Sequence, residues 1–498
     1  MTKSTLIFFL LFTSILSFGQ KTDTRLSGLD KEINGLLKAY NAEGLSIAVV
    51  EDNKVIYSQG FGFRDVENKL LATSNTIFPI GSITKSFTAS LLGKLESEGA
   101  LSLKDKPSFY LPKLQFYNNQ MDNLITIEDL LSHRSGLGNV DGSFVLFPAK
   151  ERIQLMERLK YLKPNGTVKD SWIYSNLGYV IAGTIAEQIT NQTWDKNITD
   201  KFFVPLKMDN SSTDINDMIK SNDYSFGYGL NNHISQKVLF AELKNDKPDG
   251  AINSTANDMA KWMMVWLNNG QFNNQQILPA NYIQEAESYK AIDNGLPPES
   301  SDPNVYTFGY GFGWKINSNK GHYKVHHGGN VSGFSSQLAL YPTDTLGIIV
   351  LTNQHNSILP YIVSDIITNR MLKLPKTEWN KYPVKVSDIN MVNKDIKSIN
   401  PDKKPTHILN DYCGKFSNPG YGTFEIVNEN SKLFAVFPNF KFQLEHQYYD
   451  IFVLKATKEI SQLMNPEFYL NFSLDYEGNV SSVKINLQDE PVEFIKQK

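Results

Sequence analysis

A serine is a poor nucleophile until a base takes its proton, and Ser82-Ile83-Thr84-Lys85 supplies both partners. On a helix, a lysine three residues beyond a serine brings its amine beside the hydroxyl. The same spacing occurs once more, at Ser481-Ser482-Val483-Lys484. There the residues alternate as in a strand, which turns positions three apart onto opposite faces. Taken alone, a serine near a helix start is usually a cap, so the neighbours of Ser82 in the chain matter. Tyr174-Ser175-Asn176 stands ahead of a helical pattern that starts at Leu177, so a phenol able to relay a proton and an amide able to hold a carbonyl project from one turn. Tyr-x-Asn recurs at Tyr117 and Tyr469, and a turn with a half-buried tyrosine looks the same. His326-His327-Gly328-Gly329 comes before a strand pattern, where glycines let the backbone approach a ligand beside a histidine.

The elements that must position these groups can be read from periodicity. Ile83, Phe87, Leu91, Leu92 and Leu95 recur at helical spacing over Ser82 to Leu95, predicting a helix half-buried along one face and closed by Gly99. Further helical patterns cover Ile127 to Leu131, Leu177 to Ile189 and Ala256 to Leu267, a helix-rich lobe. Near the start, a short helical pattern ends at Leu36 to Tyr40, and Leu45 to Val50 and Lys54 to Tyr57 read as strands joined around Asp52-Asn53. Gly311 to Ile316, Ser335 to Tyr341 and Gly347 to Thr352 are three later strand patterns. They predict an α/β fold in which an antiparallel sheet brings the first and last strands together, with helices on both faces. Residues 373–405 lack long apolar runs and read as a linker. Residues 406–498 carry short strand patterns at Tyr421 to Val427, Leu433 to Phe437, Ile451 to Leu454, Phe468 to Leu474 and Val480 to Leu487, predicting a small β-barrel or sandwich.

Composition excludes several functions. Lys plus Arg number 49 against 52 for Asp plus Glu among 498 residues, a net charge of −3, so no positive surplus is available for a nucleic-acid backbone. The single cysteine, Cys413, can neither pair within the chain nor build a thiolate metal site. His322, His326 and His327 lack metal-ligand spacing, and Gly60-Phe61-Gly62 and Gly309-Tyr310-Gly311 lack the third glycine of a dinucleotide loop. Neither metal nor organic cofactor is expected. Lys3, the apolar run Leu6 to Leu16 and Ser17-Phe18-Gly19 read as a signal peptide, residues 1–19, which predicts an exported, periplasmic or secreted protein that does not span the membrane after cleavage.

Ser82 to Lys85, Tyr174 to Asn176 and His327-Gly328-Gly329 occur in that order, with Leu130-Leu131-Ser132-His133 and Ser135-Gly136-Leu137 between them. Together with Ser254-Thr255-Ala256, Tyr310-Gly311 and Gly333-Phe334-Ser335, they resemble the serine β-lactamase and penicillin-binding-protein superfamily. Within it the chain is similar to the class C β-lactamase-related hydrolases, the group of D-aminopeptidases, D-alanyl-D-alanine carboxypeptidases and family VIII esterases. The likeness runs from about Leu29 to Asn369. It implies a hydrolase domain over 20–372 in which Ser82 forms the acyl-enzyme, Lys85 is its base or proton shuttle and Tyr174 exchanges protons with the leaving group. Asn176, His327, Gly329 and Asn330 would bind the substrate, and the N–H groups of Ser82 and Asn330 would form the oxyanion hole. His327 takes the place of the lysine in the family's Lys-Thr-Gly, with His326 the alternative occupant. A histidine is largely neutral near pH 7, so uncharged short-chain esters or amides are expected to react more efficiently than penicillins. The implied activity is cleavage of an ester, amide or peptide bond in a small-molecule or peptide substrate, of the esterase or D-amino-acid peptidase type. The alternative is a catalytically idle protein of the same fold that senses cell-wall peptides or β-lactams. Asp411 to Phe416 and Gly420-Tyr421-Gly422 are similar to the lipocalin-like domains appended to such hydrolases.

Overall fold

In the computed structural model, the described residues are 23–138, 146–231, 233–294, 307–377, 403–455, 468–487 and 490–497. The signal-peptide reading and most of the linker reading fall outside them.

The centre is a nine-stranded sheet. Its first long strand, Gly44–Glu51, lies antiparallel to the last, Leu346–Thr352, in unbroken register from Leu45 opposite Thr352 to Glu51 opposite Leu346. The expected closure of the sheet by its two ends is therefore observed. Both strands are buried on both faces and read as near-continuous apolar runs, because helices cover each side. On one side, helices Leu29–Ala39 and Leu359–Met371 pack on Ile47, Val49, Ile348 and Val350. On the other lie Thr84–Ser97 and Ala256–Leu267.

Two expectations are corrected, and two elements went unread. The helix carrying Lys85 is buried all round from Thr84 to Gly93, not along one face. Ser86 and Thr88 helped hide this, since their hydroxyls are satisfied inside the protein: Ser86 Oγ donates to Ile83 O, and Thr88 Oγ1 to Pro248 O. The segment Gly311 to Ile316 is mostly a turn, and the strand runs over Lys315–Asn319. Gly313 has φ +78°, and a β-carbon there would lie 2.9 Å from Lys85 O, so chain reversal against the central helix needs glycine. The ten-residue strand His322–Val331 and the helix Leu359–Met371 had no clear periodic signal. Histidines, glycines and other polar residues break the apolar alternation of the strand, and ten of the helix's thirteen residues are buried.

The C-terminal strands Gly414–Asn418, Gly422–Glu429, Lys432–Val436, Lys441–Tyr448, Ile451–Lys455, Tyr469–Leu474, Val480–Ile485 and Val492–Lys496 close into a barrel. The Ser481 to Lys484 repeat is part of one barrel strand. Closure removes sheet edges, and inward residues such as Phe416, Phe424 and Phe494 fill the interior. One plug comes from elsewhere in the chain. Phe147, 1% exposed, stacks on Phe494 at 5.3 Å between ring centroids and meets Phe437 edge-on at 5.2 Å, with Tyr421 and Phe424 beside it. The barrel and the sheet therefore share one hydrophobic core.

Candidate active site

Ser82 sits in a single 3-10 turn, Gly81–Ile83, that leads directly into the helix Thr84–Ser97. The turn is pressed against the edge of the His322–Val331 strand. Gly81 has φ +54°, and a β-carbon on it would fall 2.7 Å from the Asn330 nitrogen. Any larger residue would force the nucleophile away from that strand, so Gly81 sets the approach of Ser82 to the Asn330 N–H. Ser336 Oγ donates to Ile80 O at 2.8 Å and ties the turn down from the next strand.

One turn along the helix, Lys85 is wholly buried. Its Nζ donates to Ser82 Oγ at 3.1 Å and to Asp249 O at 2.9 Å. Both acceptors are neutral oxygens, and among the described residues no ion pair reaches this amine. The carbonyl is held in place because the segment around Asp249 is stitched to the same helix: Thr88 Oγ1 donates to Pro248 O, and Ile252 N to Thr84 Oγ1. Lys85 Nζ also lies 5.0 Å from the ring centre of Tyr174 and 5.5 Å from that of Tyr179.

Tyr174 and Asn176 flank Ser175, the residue before helix Asn176–Thr190. Ser175 N donates to His133 Nδ1 at 3.1 Å, and Ser175 Oγ to Gly138 O at 3.3 Å. These bonds anchor the turn that presents the phenol and the amide. His133 was legible only as part of a resemblance, yet it packs at a tilt against Tyr174 with 4.4 Å between ring centres and against Tyr310 at 4.5 Å. Accepting at Nδ1 places its proton on Nε2. Burial, with the Lys85 charge adding to it, pushes His133 well below the usual histidine range, so it stays neutral.

Strand alternation turns the two third-motif histidines to opposite faces. His327 faces the cluster, its ring centre 6.2 Å from that of Tyr174, and His326 turns to the other face, where its Nδ1 meets Gln337 Nε2 at 3.2 Å. His322 bonds Asp344 instead, so the three histidines do not converge. Burial and the charge of Lys85 hold His327 well below its usual range, as the expected neutral imidazole. Its Nδ1–H donates to Gly328 O at 2.6 Å, which leaves Nε2 to accept from Tyr310 Oη at 2.9 Å. Both nitrogens are thereby engaged within the protein. Gly329 lies against Ile80, and Asn330 Oδ1 accepts from Ser335 Oγ at 2.7 Å.

Ser82, Lys85, Tyr174 and His327 thus come together where the turn before the central helix meets the strand segment of Gly329 and Asn330, and Asn176 follows in the same turn as Tyr174. Tyr310, Tyr179 and the Asp249 carbonyl join them, and no local pattern pointed to the last two. The family model for Beta-lactamase matches residues 29–362, well over half of the chain. The chain belongs to the Beta-lactamase family. A second model, a domain of unknown function (DUF3471), matches residues 399–496. Protein flp of Staphylococcus aureus is 28% identical over 349 residues, 68% of this chain and 65% of its own length. The chain therefore spans less than two thirds of that relative. Unguisins hydrolase ungD of Aspergillus violaceofuscus is 25% identical over 449 residues, 81% of this chain and 77% of its own. Among solved structures, the octameric penicillin-binding protein homologue from Pyrococcus abyssi superposes with a TM-score of 0.62 at 22% identity, over 95% of this chain and 100% of that one. That likeness is one of fold, and it takes in both the sheet and the barrel. Among the described residues no helix is long and apolar enough to cross a membrane.

Proposed function

We propose that this protein is an exported serine hydrolase that cleaves an ester, amide or peptide bond through an acyl-enzyme, of the esterase or D-amino-acid peptidase type rather than a true β-lactamase. The observation that carries the reading is the 3.1 Å contact between Lys85 Nζ and Ser82 Oγ, with the Tyr174 ring alongside. Ser82 Oγ attacks the carbonyl carbon while its proton passes to the Lys85 and Tyr174 relay. The negative oxygen is held by the Ser82 and Asn330 N–H groups, each such donor being worth about 3 to 4 kcal/mol in the transition state. Collapse breaks the bond to the leaving group, which takes the proton from the relay. Water then attacks the acyl-enzyme, giving its proton to the same relay and releasing the acid and Ser82. The hydrolase named among the relatives supports the reaction class, and a neutral His327 supports neutral acyl groups over penicillins. The test is intact mass after exposure to a fluorophosphonate, with peptide mapping. An adduct on the Ser82 peptide is expected. Equal labelling of Ser82→Ala would overturn the assignment, and labelling without turnover of any ester, amide or D-peptide would leave a sensing protein.

A further inference from the structure

The residues around Ser82 are held by two different parts of the molecule. Ser82 and Lys85 are fixed by the sheet and the Asp249 segment, through the Gly81 turn against Asn330, the Ser336 bond to Ile80 O and the Asp249 carbonyl. Tyr174 is reached by another route. The chain that leads to it, 165–175, runs alongside 133–138 and is bonded to it throughout. Asn165 N donates to Gly136 O at 3.0 Å, Lys169 N to Arg134 O at 2.8 Å and Ile173 N to His133 O at 2.9 Å, and Ser175 Oγ donates to Gly138 O at 3.3 Å. Glycine makes the fit close. Gly136 has φ +75°, and a β-carbon on it would lie 2.5 Å from Gly166 O, while the place of a side chain at Gly138 is filled by Asn165.

Just before it enters this ladder, the same stretch of chain is clamped by the barrel. Phe147 sits among the barrel's rings, and its carbonyl accepts from Arg158 Nη1 at 2.8 Å, from the end of helix Arg152–Arg158. Leu162, 3% exposed, returns to the barrel three residues before Asn165: a β-carbon on Gly420 would lie 3.0 Å from Leu162 Cδ2 and 3.2 Å from Tyr161 Cβ. A β-carbon on Gly422 would lie 3.3 Å from the Phe147 ring. Both contacts fall where Gly414–Asn418 turns into Gly422–Glu429, so segment 147–162 is pinned at its two ends on one corner of the barrel. A chain packed in place at Leu162 and bonded along 165–175 has little freedom left at Tyr174.

We propose that Leu162 is a positioning residue for Tyr174, through which the barrel sets the proton donor for the leaving group and leaves the Ser82 and Lys85 pair to the sheet. This rests on the acyl-enzyme reading of Ser82 and gives the C-terminal domain a part in it.

Two acetates that give the same acetyl-enzyme separate the two halves of the site. p-Nitrophenyl acetate expels a weakly basic phenolate that needs no proton, whereas ethyl acetate expels an alkoxide that must take one. The ratio of their kcat/KM values reads proton donation to the leaving group, and the rate of fluorophosphonate labelling reads Ser82 and Lys85. In the full-length protein, Leu162→Ala should lower the ethyl to p-nitrophenyl ratio roughly tenfold or more and leave the labelling rate within about twofold, as when only the proton donor is misplaced. Leu162→Met, which refills the seam, should restore the ratio. Gly420→Val crowds the same seam from the barrel side and should shift the ratio in the same direction, which carries the test where Leu162→Ala does not fold. Phe472→Leu loosens the barrel interior beside Phe416 and Phe452, so it should lower the thermal midpoint and keep the parent ratio. An unchanged ratio in the folded seam variants, a labelling rate that falls with the ratio, or an equal shift in Phe472→Leu overturns the proposal. So does a parent whose Ser82 is labelled but which does not cleave ethyl acetate. Absence of labelling in the parent overturns the acyl-enzyme reading, and this inference with it.

Discussion

The cleft and the barrel use the same aromatic residues in opposite ways. Around Ser82, the rings of Tyr174, Tyr179 and Tyr310 surround His133 and Lys85, and their hydroxyls matter: Tyr310 Oη donates to His327 and Tyr179 Oη to Leu131 O. In the barrel, Phe424 stacks on Phe416 and Phe437 and meets Phe494 edge-on, with no polar group to orient. The first arrangement holds buried titratable groups in place at the expense of desolvating them, and the second contributes packing alone. The barrel's histidines, His407 and His446, lie partly exposed at its surface, whereas His133, His326 and His327 are buried in the sheet region. The buried histidines are concentrated in one region, and Phe147 packs the other onto the same core.

The sharpest way to break this division is to remove the nucleophile. Ser82→Ala should lower kcat by up to roughly a millionfold, measured with an activated ester, while circular dichroism and the barrel's aromatic signal stay as in the parent. Substantial residual turnover would place the chemistry elsewhere.

Phe147→Ala should act in the opposite sense. Emptying a fully buried aromatic site costs about 3 to 5 kcal/mol, so the thermal midpoint should fall by several degrees, and an apolar dye should gain a binding place in the barrel. Unchanged melting and no dye uptake would show that Phe147 is not a structural plug. By the same reasoning, a chain ending near Leu374 should keep its sheet but lose stability, since Phe147 would then face water.

Acid should find the cleft before the barrel. His133, His326 and His327 all sit well below 6.5 in the folded chain, so the unfolded chain binds more protons once pH falls below about 6.5. The stability they contribute is complete above that pH and is lost as pH falls. Hydrogen exchange at pH 5 should therefore quicken in the sheet strands His322–Val331 and Lys315–Asn319 more than in the barrel strands. Equal change in both regions would count against the assignment of buried neutral histidines.

The smallest effect concerns Glu287, whose carboxyl burial pushes up to about 8. A raised carboxyl favours the folded state fully below pH 4.5 and less as pH climbs through about 8, because the folded chain must then ionise a buried acid. Glu287→Gln should raise the thermal midpoint relative to the parent at pH 9 and make little difference at pH 5. A gain equal at both would assign the effect to packing.

What was legible in the chain itself follows from locality. Ser82 and Lys85 were readable because helical geometry alone places residues three apart side by side, and the two ends of the sheet because their apolar strands needed partners buried on both faces. The short barrel strands were readable from alternation, although Gly414–Asn418, Lys441–Tyr448 and Val492–Lys496 were not. Three things depended on tertiary structure. Which face His326 and His327 each present across the strand depends on register with Gln337 and Leu338. The Asp249 carbonyl at Lys85 comes from a chain segment 164 residues away, with no motif of its own. Phe147 read as one aromatic residue among many until the barrel closed around it. Local spacing encodes contacts along an element, whereas contacts between elements depend on how whole surfaces pack, and no single segment carries that information.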